Sequence, residues 1–180
     1  LTGRSLSLGM DGVELVSLAH DHVERLARVR VANADDIRTS SATRQPYETG
    51  FDDVVRGLQW RIEVAGQDLH PFVICCEGEI VGDLNLSQVV RGAQESANVG
   101  LLVDQARRGQ GIATRAIALA CRLAFEELEL HRLQAGIQPS NVASQKAFIR
   151  NAFEPIGLAR GLLFVDGAWR DHLLFQRLAP

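Results

Sequence analysis

The chain has 180 residues, 46% hydrophobic and 23% charged, the length and balance of roughly one ordinary soluble domain with a sizeable core. Its 19 basic and 22 acidic residues leave a formal charge of −3. That argues against a broadly basic surface coating nucleic acid, though it leaves room for a local anion site. No run approaches the length of a membrane span, and the opening LTGRSLSLGM lacks a signal peptide's order, so a cytoplasmic location is expected.

Along the chain, residues 4–8 and 13–16 alternate like short strands. A helix is expected from His20 to Asn33, with Val23, Leu26 and Ala27 on one stripe. Residues 34–50 are polar, contain Pro46 and Gly50, and read as a loop or broken helix. A second helix spans 51–65, with Phe51, Val54, Val55 and Leu58 at helical spacing. HPFVICCEGEIVGDLNLSQV then reads as a hairpin turning at Glu77-Gly78. Cys75, Cys76 and Cys121 all sit in apolar patterns. Three reduced, buried thiols are expected, and no local ligand spacing suggests a metal.

The second half is more informative. ANVGLLV (97–103) is a buried strand and DQARRGQG (104–111) a polar, glycine-containing loop. From Ile112 to Leu128 the positions Ala113, Ala116, Ile117, Ala120, Leu123, Ala124 and Leu128 hold one face of an amphipathic helix. HRLQAGIQ (131–138) is the next strand, Pro139 ends it, and SNVASQKAFIRNA forms another helix. A terminal hairpin turns at Asp166-Gly167. A parallel strand pair joined by a helix, with antiparallel hairpins around it, predicts an α/β architecture with a mixed sheet.

The segment Arg107-Arg108-Gly109-Gln110-Gly111-Ile112-Ala113-Thr114 lies between strand and helix. A helix start leaves N–H groups pointing outward, and the two glycines let a ligand approach the backbone. Together with the helix dipole these make a pyrophosphate cradle, to which Arg107, Arg108 or Arg115 adds charge-assisted bonds. The loop lacks the Lys-Ser/Thr ending of a P-loop and is not GxGxxG. A tight structural turn with surface arginines is the alternative.

Arg108-x-x-Gly111-x-Ala113 matches the acyl-CoA pyrophosphate motif of the GCN5-related N-acetyltransferase (GNAT) family. The surrounding GLLVDQARRGQGIATRAIALACRLAFEELELHRLQAGIQPSNVASQKAF closely resembles that family's ribosomal-protein alanine N-terminal acetyltransferase (RimJ/RimL-type) branch. The closing VDGAWRDHLLF is similar to it as well. The resemblance is strong over 97–178 and diffuse over 1–96. It implies one GNAT domain over residues 1–180, with a mixed, splayed central sheet flanked by helices. It also implies acetyl-CoA as cosubstrate and direct transfer of the acetyl group to a free amine.

Residue by residue, the resemblance places acetyl-CoA between the strands 97–103 and 131–138. The backbone of Leu101, Leu102 and Val103 would pair with the pantetheine amides. Backbone amides of Arg108, Gly109, Gln110, Gly111, Ile112, Ala113 and Thr114 would hold the pyrophosphate. Asn141 would bond the pantetheine or acetyl arm, and its position equally suits a helix cap. Ser144, one turn on, would donate to the thioester sulfur or the leaving thiolate, or be satisfied by the preceding backbone. Many family members carry a tyrosine acid where this chain has Phe148, and a glycine where it has Ala152, so tyrosine-based acid catalysis is unavailable there. Asn98 stands where an acidic residue is common. It orients water but cannot act as a base, which leaves Glu95 and Asp83 as carboxylate candidates. Asp104, Asp166 and Asp171 read as structural. His172 reads as a packing or substrate-cleft histidine, with a direct proton role as the alternative.

The expected chemistry is attack of a neutral amine on the thioester, with backbone N–H groups facing the oxyanion. A protein α-amine, pKa about 7.7–8.0, is roughly 10–15% neutral at pH 7, and a lysine near 10.4 only about 0.04%. A site without a dedicated carboxylate base therefore fits an N-terminal amine, a ribosomal protein's among them, with no direct nucleic-acid or membrane contact. The same fold also serves small-molecule amine or antibiotic acetylation, and a CoA-binding protein that has lost transfer is the non-enzymatic alternative. The helices 20–33 and 51–65 should line the acceptor side. Tyr47, Phe51 and Trp60 are candidate lining residues there, or core. The apolar final hairpin either completes the sheet or supplies a homodimer face.

Overall fold

Period-two alternation and helical stripes resolve into one mixed sheet with helices on both faces. The structure, a computed structural model, describes residues 6–40, 50–66 and 68–180. The strands are β1 (Ser7–Met10), β2 (Val13–Ser17), β3 (Leu69–Cys76), β4 (Glu79–Val90), β5 (Ser96–Val103), β6 (Arg132–Ile137), β7 (Glu154–Val165) and β8 (Ala168–Leu178). The helices are α1 (Val23–Ala32), α2 (Ala34–Ser40), α3 (Phe51–Glu63), α4 (Ile112–Arg122) and α5 (Val142–Arg150). The sheet order is β1-β2-β3-β4-β5-β6-β8-β7. Every pairing is antiparallel except β5 with β6. The terminal hairpin therefore enters the sheet through β8, and β7 forms its edge.

Alternation along the strands sorts the core into two layers. Val13, Leu15, Phe72, Ile74, Leu84, Leu86, Ala97, Val99, Leu133, Ala135 and Phe175 pack with α4 and with Ala147 and Phe148 of α5. On the opposite face Val73 and Ile80 pack under Val23, Leu26 and Ala27 of α1 and Val54 and Leu58 of α3. Asn98, Gly100 and Leu102, out of phase with Ala97 and Val99, share that second face.

Within the loop or broken helix expected over 34–50 one alternative is realised, and two expected helices are revised. Part of 34–50 is helical: α2 forms over Ala34–Ser40, with Asp35 and Asp36 at its positive end and the Ser40 hydroxyl donating to Asp36 O at 2.7 Å. Pro46 and Tyr47 lie outside the described residues. The first expected helix begins with a single 3₁₀ turn at His20–His22. The long helix expected to Leu128 is α-helical only to Arg122; Leu123–Glu127 then widen into a π-type turn, closed by Leu128 N–H donating to Leu123 O at 3.0 Å. Among the described residues no helix is long and apolar enough to cross a membrane. All three cysteines are free; Cys76 and Cys121 are buried, but Cys75 is only half-buried, which corrects the expectation of three buried thiols.

Candidate active site

The parallel pairing of β5 with β6 covers only Ser96↔Arg132, Ala97↔Leu133 and Asn98↔Gln134. Beyond that point the two strands part. β5 stays paired to β4 as far as Val103, and β6 stays paired to β8. The stretch Val99–Val103 thus presents an open edge to a gap. Backbone polar groups of a strand point alternately to its two neighbours. Asp104 N–H donates toward β4, to Val81 O at 2.8 Å. A Cβ built on Gly82 of β4 would press on the Leu102 carbonyl, 3.0 Å from its carbon. Both observations turn the polar groups of Leu102 toward β4. Those of Leu101 and Val103 face the gap. The expectation that Leu102 pairs with pantetheine through its backbone is corrected accordingly: that backbone is already engaged.

The loop after β5 opens with a short turn at Gln105–Arg107, capped by Asp104, which accepts from Ala106 N–H. Arg108 N–H donates to Gln105 O at 3.2 Å. The expected role of the Arg108 backbone amide in the cradle is therefore corrected too, since its proton is held inside the turn. Gly109 and Gly111 have φ of +77° and +73°, with no atom within 4 Å of an added Cβ. Left-handed backbone, not space, is why glycine stands there. The first N–H of α4 to bond back is Arg115, to Gly111 O at 3.1 Å. Ile112, Ala113 and Thr114 keep theirs at the positive end of the helix, where an anion is favoured. The Arg115 guanidinium braces the loop by donating to Gln110 O at 2.7 Å. The open strand edge and the open helix start fit a ligand with an extended amide arm and a pyrophosphate.

Sequence reasoning missed the residues that fasten this loop to α1 and α2. Asn33, at the end of α1 and 1% exposed, donates to Asp104 Oδ1 at 3.1 Å and accepts from Gln105 N–H at 2.9 Å. Asp36 of α2 pairs with the Arg108 side chain. An Asn in a helical stripe carries no sequence signal for a partner about seventy residues away.

The candidate carboxylates are placed elsewhere. Glu95 precedes β5, six residues before Leu101 and so roughly 20 Å along the strand. It accepts from Arg91 Nη1 at 3.0 Å and from Gly92 N–H at 2.7 Å. The Arg91 hydrogen bond, helped by that of Gly92, holds its carboxyl below the usual value. The structure does not bring Glu95 to the gap, which removes it as a base. Asp83 is buried on β4 opposite Leu102. It accepts from Arg30 at 2.7 and 2.8 Å and from Arg61 at 3.0 Å. Burial alone pushes this carboxyl up, but the charges and hydrogen bonds of Arg30 and Arg61 prevail and hold it low. An ion locked between two guanidiniums is a strut joining α1, α3 and β4, not a proton acceptor.

Asn98 sits where the strands part and donates to Gln88 Oε1. Asn141 is the cap of α5, its Oδ1 accepting from Ser144 N–H at 3.1 Å, while its NH2 remains a donor. Ser144 is half-buried, and its hydroxyl has no partner among the described residues. Phe148 is buried, edge-on to Phe153 with centroids 4.9 Å apart, and belongs to the core. Phe51 and Trp60 face solvent on α3, Trp60 at 57% exposure.

This geometry fits the acyl-CoA site that the Arg108-x-x-Gly111-x-Ala113 motif implies. The model of the acetyltransferase (GNAT) domain matches residues 13–154. The chain is 30% identical, over 94% of its length and 88% of the relative's, to a probable N-acetyltransferase, YjcK, of Bacillus subtilis. It is 36% identical to the [ribosomal protein uS5]-alanine N-acetyltransferase of Escherichia coli, over 58% of this chain and 54% of that one. Among solved structures, Mycobacterium smegmatis RimJ in complex with CoA-disulfide superposes with a TM-score of 0.83 at 31% identity, covering 97% of this chain and 87% of that one. The chain belongs to the GNAT family and closely resembles its RimJ/RimL-type acetyltransferases. It is an acetyl-CoA-dependent N-acetyltransferase.

Proposed function

We propose that the acceptor is the free N-terminal α-amine of a peptide or protein, with a ribosomal protein as the leading class. The observation that carries this is the fate of the carboxylates. Asp83 is locked between two arginines, Glu95 lies at the far end of its strand, and Phe148 replaces an acid with a core ring. Among the described residues no carboxylate at the gap is free to neutralise an acceptor ammonium before attack, which suits an amine already neutral in part. Roughly 10–15% of an α-amine is neutral at pH 7, against about 0.04% of a lysine. That difference is between about 3 and 4 kcal/mol of nucleophile availability. The likeness to the uS5-alanine acetyltransferase and to RimJ supports the same reading. In it, Leu101 and Val103 hold the amide arm, Ile112 to Thr114 hold the pyrophosphate, and the Asn141 NH2 and Ser144 hydroxyl face the arm and the departing sulfur. Ser144 supplies a hydrogen bond to a thiolate that needs little acid help.

The test is acetyl transfer read by mass spectrometry over one panel. It contains peptides with free Ala, Ser, Thr or Met termini, N-blocked peptides with an internal lysine, and small amines including a polyamine. Acetylation of the free termini alone is expected, and the preferred first residue identifies the acceptor class. Acetylation of small amines alone would overturn the protein-terminus reading and leave the transferase intact.

A further inference from the structure

We propose that the Nε2 atom of His172 is the proton acceptor for the attacking amine. The inference concerns the transfer step itself and holds for whichever amine the enzyme acetylates. Along β8, Leu173 and Phe175 belong to the layer beneath α4, so His172, Leu174 and Gln176 project onto the acceptor face, the face of α1, α3, Asn98, Gly100 and Leu102. In register, Gly136 of β6 stands opposite Leu174 and Ile137 opposite Leu173. His172 is therefore one step further along, beside the end of β6 that has parted from β5. Gly136 carries no side chain on that face of β6, and an added Cβ there would lie 3.7 Å from methyls of Leu162 and Leu174 and 3.8 Å from His172 Cβ. His172 thus lies close against the backbone of β6, one strand from the gap.

The ring is 2% exposed, and Nδ1 lies 3.0 Å from Arg170 O. A carbonyl only accepts, so Nδ1 carries the proton and Nε2 the lone pair. Among the described residues Nε2 has no hydrogen-bond partner. It is also not one of the sealed unpartnered polar atoms, which are Asn85 Oδ1, Gln176 Oε1 and the Nε atoms of Arg107, Arg115 and Arg132. A buried imidazole with one nitrogen fixed by the backbone and the other free is the arrangement of an oriented base. Among the described residues, the charged side chains next to His172 in sequence or strand register are Arg170 and Asp171 on β8 and Arg160 on β7. Asp171 is occupied by Gly161 N–H at 2.7 Å. β6 supplies no charged side chain at this level.

The step balances without a further reactant. The amine nitrogen forms the bond to the acetyl carbon, its proton passes to Nε2, the carbon–sulfur bond breaks and the electron pair leaves on the thiolate. The imidazolium returns its proton to solvent.

Two measurements test the inference, using an amine that the wild-type enzyme acetylates. First, His172→Gln should lose about 100-fold or more in kcat/KM, with acetyl-CoA affinity unchanged. In His172→Ala, added imidazole should restore rate into the space left beside Gly136. A kcat/KM within about threefold of wild type would overturn the proposal, as would a loss fully accounted for by weaker acetyl-CoA binding. Second, the unaltered protein should be carbethoxylated at His172 by diethyl pyrocarbonate, with protection by acetyl-CoA plus acceptor, read by peptide mass. No modification at His172, or modification indifferent to both ligands, overturns it even if the variants do not fold.

Discussion

Replacing Gly82 with alanine is expected to weaken acetyl-CoA binding about tenfold and to destabilise the fold by about 1–3 kcal/mol. Gly82 is nowhere near the glycine loop in sequence. Its backbone, however, runs against the strand that forms the cofactor gap. An added methyl would press on the Leu102 carbonyl group and sit 3.1 Å from Val103 Cα. These are main-chain atoms, which cannot rotate away as a side-chain tip does. Relief requires β5 to move from β4, and the displaced segment carries the Leu101 and Val103 groups that face the gap. Gly57→Ala on α3 is the control: an added Cβ there has nothing within 4 Å. Alanine at that helical position should leave binding unchanged and hold or raise stability. Titration calorimetry and thermal unfolding of the two variants side by side decide the matter. Equal acetyl-CoA affinities would contradict the strand placement.

The second large effect is expected at Asp83. Asp83→Asn removes the charge that Arg30 and Arg61 share through these hydrogen bonds. Breaking one side of a buried ion pair costs about 3–5 kcal/mol, which lowers the melting temperature of a domain this size by roughly 10 °C. The pH dependence follows from the direction of the shift. The carboxyl is held below its ordinary value, so the stabilisation is complete above the ordinary carboxylate pKa, about 3.9. It disappears as pH falls through the lower folded-state value. Wild type should therefore lose its advantage over Asp83→Asn only in strongly acidic solution. A melting temperature within 2 °C or so at pH 7 would contradict the role as a strut. If kcat fell with the melting temperature and acetyl-CoA affinity unchanged, Asp83 would have to be reinstated as a chemical group.

The elements that could be read from sequence are those whose periodicity is set by burial on one face. ANVGLLV, the α4 stripe and the final hairpin announced themselves because apolar residues recur at the spacing of the element they form. Gly109 and Gly111 were legible for a related reason, as a left-handed turn admits few other residues. α2 was half hidden. ADDIRTS buries Ile37 alone, and its helix rests on an acidic start and hydroxyl-to-carbonyl bonds, which leave little pattern.

The site was legible in its ligand loop and illegible in its proton chemistry. The error over Glu95 arose from proximity in sequence: it adjoins β5, but at the end where β5 and β6 are still about to pair. Leu102 was grouped with Leu101 and Val103 because a strand's letters do not show which carbonyl faces which neighbour. That distinction appears only with β4 in place. Asp83, Arg30 and Arg61 come from three elements, and nothing in the sequence around any one of them predicts the other two. His172 was visible in Trp169-Arg170-Asp171-His172. Its place one strand from the gap depends on β8 lying next to β6, which is a product of the sheet order.

The most direct test of the account is amide hydrogen exchange followed residue by residue, with and without saturating CoA. Leu101, Val103, Ile112, Ala113 and Thr114 carry the N–H groups assigned to the gap and the cradle, and their exchange should slow when CoA binds. Leu102 and Arg108 already donate within the protein and should change least. Protection of Leu102 or Arg108 with Leu101 and Val103 unchanged would reverse the assigned strand phase. Protection confined to residues outside β5 and the start of α4 would mean that CoA binds elsewhere on the molecule.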